Sequence, residues 1–378
     1  MTSAVIAGYA RSAFTPANKG TLARVRPDTL AAEVLRVLAA RASVRLEDVE
    51  DLIVGCAFPE GEQGLNVARW IGLLAGLPLG TAAATLNRFC GSSMSAIHMA
   101  AGAVMMNAGE VFFCAGVESM SRVPMGGFNP MPSPKLYAQM PQAYIAMGDT
   151  AENVASRWQI SRAAQEEFAL ASHRKAAAAQ AEGRLADELV AFSDAKVNSI
   201  QDECIRADAS AEALAGLKPA FSANGSVTAG TSSPLTDGAA AVLVCSEDYA
   251  RRNGLPMLAR IKSIAVAGCE PEIMGIGPVA ASKKALARAG ITAQELDVIE
   301  LNEAFAAQAL ACIHDLALDP AKINLDGGAI ALGHPLGATG ARITGKAAAL
   351  LKRVNGRYAL ATQCIGGGQG IATVLEAI

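Results

Sequence analysis

Short apolar runs alternate with longer helical patterns through most of this 378-residue chain. In its first third the predicted elements follow in this order: strand Ala4 to Ala7, helix Thr29 to Arg41, strand Asp51 to Gly55, helix Asn66 to Leu74, strand Thr81 to Leu86, helix Ser92 to Asn107, and strand Val111 to Ala115. Strands separated by helices are typical of βαβ units, in which helices cover a parallel sheet. The alternation therefore predicts an α/β protein with a mainly parallel, buried sheet.

The alternation stops near Glu118 and returns after Asp237. Met, Pro, Gly and Ser are frequent from Ser119 to Asp149, a strongly helical pattern follows from Thr150 to Gly183, and the next stretch is more polar. A long irregular segment inside a compact protein is usually functional. We therefore expect an N-terminal domain of residues 1–118 that is completed by about 236–256, an inserted loop domain of residues 119–235, and a C-terminal domain of residues 257–378.

Composition excludes several classes of protein. The chain is longer than a single hydrophobic core usually accommodates. Its formal net charge of −3 gives no sign of a general basic surface that would bind nucleic acid. Eight scattered cysteines form no C-x-x-C pair and no cluster at metal spacing, so we expect no disulfide framework, no metal site and a reducing, cytoplasmic location. We also expect no membrane span and no signal peptide.

Cys90 lies at a predicted turn between a strand and a helix. A helix N-terminus offers free N–H groups and the positive end of a dipole, which stabilise a reactive thiolate. Cysteine is also often buried and inert, and the turn alone leaves both interpretations open. Two glycine-rich segments near the C-terminus favour chemistry, because they place His334 and Cys364 where backbone can approach a substrate closely.

The two reactive turns have similar surroundings. Cys90-Gly91-Ser92-Ser93 precedes a helix and a strand, and so does His334-Pro335-Leu336-Gly337, whose following strand ends at Cys364. Such an echo indicates a duplicated domain whose turns face one shared cleft.

Four segments of the chain resemble the signature segments of the thiolases. They are Asn87–Met94, Asn302–Ala306, Gly327–Gly337 and Cys364–Gly370, and the similarity extends nearly end to end. Four motifs in order at family spacing are a specific signal, whereas one alone is weak. The chain most resembles the degradative 3-ketoacyl-CoA thiolases (acetyl-CoA C-acyltransferases). This resemblance implies duplicated α/β domains in αβαβα layers, with an inserted loop domain that binds CoA and the acyl chain.

The resemblance also implies catalytic roles. Cys90 is expected to be the nucleophile that becomes acylated, and His334 is expected to take its proton. Cys364 is expected to protonate the departing acetyl-CoA enolate and then to deprotonate the incoming CoA thiol. The backbone N–H groups of Cys90 and Gly366 are expected to hold one oxyanion, and His334 with a water oriented by Asn302 is expected to hold the enolate oxygen.

Local evidence alone leaves alternatives for some of these positions. Asn302 and Glu303 fit an ordinary helix N-cap about as well as a functional role. The remaining histidines, His98, His173 and His314, lie in helical patterns and are expected to be structural or solvent-facing.

CoA contacts are likewise implied by the resemblance. Ser233 matches a position near the pantetheine, and Arg206 matches one near the adenine and phosphate end, although a solvated surface arginine is the alternative for Arg206. Met147 belongs to a segment that touches the acyl or pantetheine end. Members specialised for acetoacetyl-CoA often have a histidine just before it, where this chain has Ala146, and the departure favours longer acyl chains.

Several functions remain to be weighed. The leading one is CoA-dependent cleavage of 3-ketoacyl-CoA in fatty-acid β-oxidation, with CoA and acyl-CoA as substrates and no permanently bound cofactor. One alternative is an acetoacetyl-CoA thiolase that runs the biosynthetic Claisen condensation, and another is a thiolase-like CoA- or lipid-binding protein without turnover. By resemblance we expect a homodimer or homotetramer, with a hydratase/dehydrogenase subunit as a further potential partner.

Overall fold

The computed structural model describes residues 2–194 and 197–378. Within these ranges the strands are β1 (Ala4–Ser12), β2 (Thr15–Pro16), β3 (Asp51–Gly55), β4 (Ala82–Leu86), β5 (Val111–Ser119), β6 (Leu189–Val190), β7 (Phe192–Ser193), β8 (Asn198–Ser199), β9 (Thr236–Ser246), β10 (Ala259–Gly268), β11 (Val298–Leu301), β12 (Tyr358–Ile365) and β13 (Gln369–Glu376). The helices are α1 (Pro27–Ala42), α2 (Val67–Ala75), α3 (Ser92–Met105), α4 (Pro134–Gln139), α5 (Met147–Arg157), α6 (Arg162–Ala181), α7 (Ala211–Ala215), α8 (Glu247–Asn253), α9 (Gly277–Ala289), α10 (Ala306–Leu316), α11 (Ala329–Leu332) and α12 (Leu336–Arg353).

The main sheet is mixed and contains the same pairing pattern twice. Its order is β11-β12-β13-β10-β1-β9-β5-β3-β4. In one half β1, β9 and β5 are antiparallel neighbours and β3 joins β5 in parallel. In the other half β10, β13 and β12 are antiparallel neighbours and β11 joins β12 in parallel. This repetition agrees with a duplicated domain.

The expectation of a mainly parallel sheet is wrong. In the C-terminal half a tight turn joins β12 to β13, where Gly367 and Gly368 have φ of +79° and +86°. Such a turn places consecutive strands antiparallel, whereas parallel neighbours need a long crossover connection. In the N-terminal half β9 returns beside β5 only after the long segment between them, and this connection also leaves the two strands antiparallel.

Helices α3 and α12 form the middle layer. Apolar side chains such as Met94 and Ala338 pack there between Val242 of one half-sheet and Ala359 of the other. Helices α1 and α2 cover the outer face of the N-terminal half, and α9 and α10 cover the outer face of the C-terminal half. The layers therefore follow the αβαβα order that the resemblance to thiolases implies.

Glycines allow the middle helices to approach the sheet and each other closely. A Cβ atom at Gly340 would lie 2.3 Å from the backbone nitrogen of Met94, and one at Gly116 would lie 2.1 Å from the carbonyl oxygen of Gly337. Larger residues at these positions would separate α3 from α12, and with them the two turns that precede these helices.

The segment between β5 and β9 contains α4 to α7. The pattern from Thr150 to Gly183 forms two helices, α5 and α6, and the side chain of Ser161 caps the second one. Buried ion pairs connect the segment to both halves, because Glu188 pairs with Arg11 of β1 and with Lys346 of α12. The three-domain division stays a prediction, and its loop domain includes residues 195–196, which lie outside the described ranges.

Among the described residues no helix is both long enough and apolar enough to cross a membrane.

Candidate active site

Cys90 lies in a tight turn between β4 and α3. The hydroxyl of Ser92 accepts a hydrogen bond from the Arg88 N–H at 2.9 Å and donates to the Phe89 carbonyl oxygen at 2.6 Å. Phe89 has a φ of +44°, which is costly for a residue with a side chain. The side chain of Gln363 donates to the carbonyl oxygen of Cys90. These bonds hold the thiol at a fixed place on the turn.

The resting form of Cys90 is a neutral thiol. Burial raises its pKa to about 12, which outweighs the opposing hydrogen bonds to sulfur from the N–H groups of Gly366 and of Cys90 itself. The negative charge of Glu118 also raises the pKa. N–H groups at the turn thus lower the pKa, in the expected direction, but loss of hydration outweighs them in the free protein.

His334 precedes α12 and is buried. Its Nδ1 lies 2.6 Å from the hydroxyl oxygen of Thr339, whose own proton is directed at the Pro335 carbonyl oxygen 3.2 Å away. The hydroxyl must therefore accept from Nδ1–H, which leaves the lone pair on Nε2. Burial, assisted by the charge of Arg342, lowers the pKa of His334 to about 3. The imidazole is thus a neutral base with Nε2 as its accepting atom.

Asn302 contacts that imidazole directly. Its Nδ2 lies 3.4 Å from Nε2 of His334, and its Oδ1 is buried without a hydrogen-bond partner among the described residues. An unpaired buried oxygen needs a water or a substrate group. The N-cap alternative is wrong, because α10 begins at Ala306 and Phe305 is its N-cap. Glu303 instead accepts hydrogen bonds from Ser172, Asn324 and the backbone of Ile330.

Cys364 is the penultimate residue of β12 and lies beside Cys90. Burial raises its pKa well above the usual range, and the proximity of Cys90 adds to the effect. Cys364 packs in an apolar cluster that includes Met147. Gly366 lies in the turn that follows β12, close to the Met147 side chain. A Cβ atom on this glycine would lie 3.5 Å from the methionine sulfur. The structure therefore brings Cys90, Cys364, Gly366 and Met147 together and places His334 against Asn302.

Comparisons with known proteins agree with this arrangement. The family model of the thiolase N-terminal domain matches residues 4–248, and that of the thiolase C-terminal domain matches residues 255–377. The chain is 49% identical over 392 residues to a 3-ketoacyl-CoA thiolase of Shewanella denitrificans and 45% identical over 390 residues to one of Bacillus subtilis, with 100% of both chains covered in each case. The chain belongs to the thiolase family.

The other two residues predicted to contact CoA lie around a cleft of about 250 Å³ in this thiolase. Arg206 and the neighbours of Ser233, Ser232 and Pro234, line the cleft. The hydroxyl of Ser233 donates to the Ala304 carbonyl oxygen at 3.1 Å, which fixes its oxygen next to the Asn302 segment. Arg206 is exposed, and its guanidinium makes no ion pair with another described residue.

Sequence reasoning missed several residues of this thiolase site. Thr339 is one turn along α12 from His334, and Gln363 precedes the predicted Cys364. Phe221 lies against the start of α5, since a Cβ on Gly148 would be 2.0 Å from its ring. Its ring also packs edge-on against Phe305 at 5.9 Å. A lone phenylalanine in a polar stretch gives no sequence signal of such a contact.

The described part of the chain contains no group of three or more His, Cys, Asp or Glu side chains arranged to hold a metal ion. The eight cysteines are all free thiols.

Proposed function

We propose that this protein cleaves 3-ketoacyl-CoA with CoA to give acetyl-CoA and a shortened acyl-CoA. One observation carries the proposal: the Cys90 thiol receives hydrogen bonds from the N–H groups of Gly366 and of Cys90, and the second thiol, Cys364, lies close enough to Cys90 that Cys90 raises its pKa. Leu336, two residues after His334, packs in the cluster that Cys90 joins. Full-length relatives bear the name 3-ketoacyl-CoA thiolase.

The first half-reaction forms an acyl-enzyme. The Cys90 sulfur attacks the 3-keto carbon while its proton passes to Nε2 of His334. The N–H groups of Cys90 and Gly366, which already point at the sulfur, then hold the oxygen of the tetrahedral intermediate. Collapse breaks the bond between C2 and C3, and Cys364 protonates the acetyl-CoA enolate at carbon.

The second half-reaction regenerates the free enzyme. The Cys364 thiolate takes the proton of the incoming CoA thiol, whose sulfur attacks the thioester on Cys90. The tetrahedral intermediate then releases acyl-CoA and the Cys90 thiolate, which recovers its proton from His334. Every proton that leaves a side chain in the cycle is returned, so the chemistry requires no metal or resident cofactor beyond its CoA substrates.

Proton transfer must accompany the attack on the substrate. A thiol with a raised pKa and an imidazole with a lowered pKa do not form an ion pair at rest. The transition state is favoured only when the substrate oxygen can take up the developing charge beside the two N–H donors. This arrangement protects Cys90 from side reactions when no substrate is bound.

A direct assay tests the function. The protein should consume 3-ketoacyl-CoA only when CoA is present, and an acyl group from labelled acyl-CoA should be recovered on Cys90. The Cys90→Ser variant should remain folded and lose both properties, since a hydroxyl lacks an accessible anion near neutral pH. Label on Cys364 or Cys114 instead of Cys90 would contradict the assignment.

The acyl pocket is proposed to accept chains longer than four carbons. Ala146 is an exposed residue that caps α5 just before Met147, so no bulky side chain closes the site there. Each buried methylene contributes roughly 0.8 kcal/mol, and kcat/KM should therefore rise with chain length from about four carbons until the pocket is full. A sharp preference for acetoacetyl-CoA would instead favour the biosynthetic alternative.

Arg206 and Ser233 are proposed to bind the CoA portion of the substrate. Arg206→Ala should raise KM for CoA with little change in kcat, because the phosphate end is remote from the reacting atoms. Arg174→Ala, which removes another arginine of the inserted segment, is the matched control. Equal KM values for the two variants would assign Arg206 to the solvated surface.

A homodimer is proposed through the edge strand β4. This strand ends the sheet, and α2 and α3 beside it expose Trp70 and Met99, which are 45% and 51% exposed. An uncovered edge next to apolar side chains favours pairing with another chain. Sedimentation should give a dimer that Trp70→Glu weakens, whereas Ile200→Glu, at another exposed apolar residue, should not. A monomeric wild type would refute the proposal.

A further inference from the structure

Glu118 is a buried carboxylate near the end of β5 that the reaction steps above do not use. Its Oε2 accepts hydrogen bonds from the N–H groups of Ala57 at 2.8 Å and Gly337 at 2.9 Å. Its Oε1 accepts from the N–H of Phe58 at 3.2 Å and from Nε2 of Gln63 at 2.9 Å. A fifth donor, the Cys56 thiol, lies 3.7 Å from Oε1. Five donors on two oxygens favour the ionised form, although burial raises the pKa of this group.

One side of Glu118 reaches the Cys90 turn. Residues Ala57 and Phe58 follow β3, and the Ala57 carbonyl oxygen accepts a hydrogen bond from the Asn87 side chain at 3.0 Å. The Phe58 ring packs against the Phe89 ring at a centroid distance of 6.1 Å. The carboxylate thus holds the loop on which the residues just before the nucleophile rest.

The other side of Glu118 reaches the turn that carries His334. Gly337 is the second residue of α12, and its N–H belongs to the helix terminus, where no intrahelical acceptor exists. The N-cap residue Pro335 provides no side-chain cap. An anion at a helix N-terminus is stabilised by the helix dipole as well as by the hydrogen bond. Glu118 therefore caps the 18-residue helix from the opposite half of the fold.

We propose that Glu118 is a positioning residue that fixes the Cys90 turn and the His334 turn relative to each other. Its contacts end at the two turns themselves: at the loop that supports the Cys90 turn and at the start of α12, which follows His334. Its charge also acts on the nucleophile, since it raises the pKa of Cys90. The catalytic part of this proposal rests on the proposed thiolysis.

Two substitutions distinguish the effect of the side-chain length of Glu118 from the effect of its charge. Glu118→Gln keeps the length but removes the charge and sets an NH2 group against N–H donors. Glu118→Asp keeps the charge but is too short to reach both Ala57 and Gly337. Asp202→Asn is the control, because Asp202 is an equally buried carboxylate that pairs with Arg11, away from the two turns.

The first measurement is steady-state kinetics on folded variants with matched thermal unfolding. We expect kcat to fall about 100-fold in Glu118→Gln, since displacement of a reacting group by about 1 Å has this effect, while KM for CoA changes by less than about twofold. Glu118→Asp should also lose kcat. A kcat within about twofold of wild type in either folded variant would overturn the proposal.

The second measurement is the pH dependence of Cys90 alkylation by iodoacetamide, followed by peptide mass spectrometry. It does not depend on thiolysis, so it also tests the placement of Glu118 if the proposed function fails. Of the other titratable groups, burial raises the pKa values of Cys364 and of Cys56, whose thiol contacts Glu118, well above the usual range, and His334 stays neutral above about pH 3. The profile should move to lower pH in Glu118→Gln and stay near wild type in Glu118→Asp and Asp202→Asn. An unchanged pH profile in Glu118→Gln would overturn the proposal that the charge of Glu118 acts on Cys90.

Discussion

The hydroxyl of Thr339 should be needed to hold His334 in its basic tautomer. Thr339→Val replaces the hydroxyl with a methyl group of similar size at a fully buried position, so the main change is the loss of the acceptor 2.6 Å from Nδ1. An unpaired buried donor costs about 1–3 kcal/mol. The proton would then move to Nε2 in part of the molecules, where it blocks the base. We expect kcat to fall about 10- to 100-fold, because each 1.4 kcal/mol corresponds to about a factor of ten.

The assay is the rate of Cys90 acylation in a single turnover, which isolates the step that needs the base. Thr339→Ser should restore most of the rate, since it returns the hydroxyl. Thr344→Val is a matched control on the same helix, because its hydroxyl donates at 2.7 Å to the Gly340 carbonyl oxygen and not to the imidazole. A Thr339→Val rate close to that of Thr344→Val would refute the tautomer argument.

Three further results are expected. Cys364→Ala should still accept an acyl group at Cys90 but lose cleavage of the carbon–carbon bond; cleavage near the wild-type rate would leave Cys364 a packing residue. Gly148→Ala should displace Phe221, whose ring lies 2.0 Å from the new Cβ, and raise KM for acyl-CoA; an unchanged KM would place that ring outside the acyl route. His98 has its pKa lowered from 6.5 to about 3 by burial, so it takes up a proton on unfolding and stability should decline as pH falls through this range. Chemical denaturation should show a smaller decline in His98→Gln, and an equal decline would mean that His98 is protonated in the folded state.

The sequence was sufficient to predict the secondary-structure elements that have strong apolar patterns. Strand β3 lies where the pattern predicts it, and the ends of α1, α2 and α3 differ from the predicted ones by at most two residues. Strand β10 has no such signal, because Arg260, Lys262 and Ser263 interrupt its apolar residues and several of its side chains are only partly buried. Tertiary pairing with β13, not local preference, makes this segment a strand.

The reactive side chains of the candidate site could be predicted from the sequence, but the residues that hold them in position could not. Cys90, His334 and Cys364 stand out because glycines surround them. Thr339 and Glu118 look ordinary in the sequence, since a threonine in a helix and a glutamate after a strand are common. Their importance comes from contacts with residues up to 219 positions away, which only the folded chain reveals.

The pKa values of the site also follow from burial more than from local sequence. A helix terminus beside Cys90 favours its anion, but the dipole of α3 acts through a few N–H groups, whereas partial burial of Cys90 removes much of the water around the sulfur. The same loss of water holds His334 neutral. Because Cys90 and His334 are both uncharged at rest, the site avoids the desolvation cost of a buried ion pair. Negative charge develops only when a substrate oxygen reaches the N–H groups of Cys90 and Gly366. Selectivity for a carbonyl substrate therefore follows from the loss of water around the Cys90 sulfur and around the buried His334 imidazole.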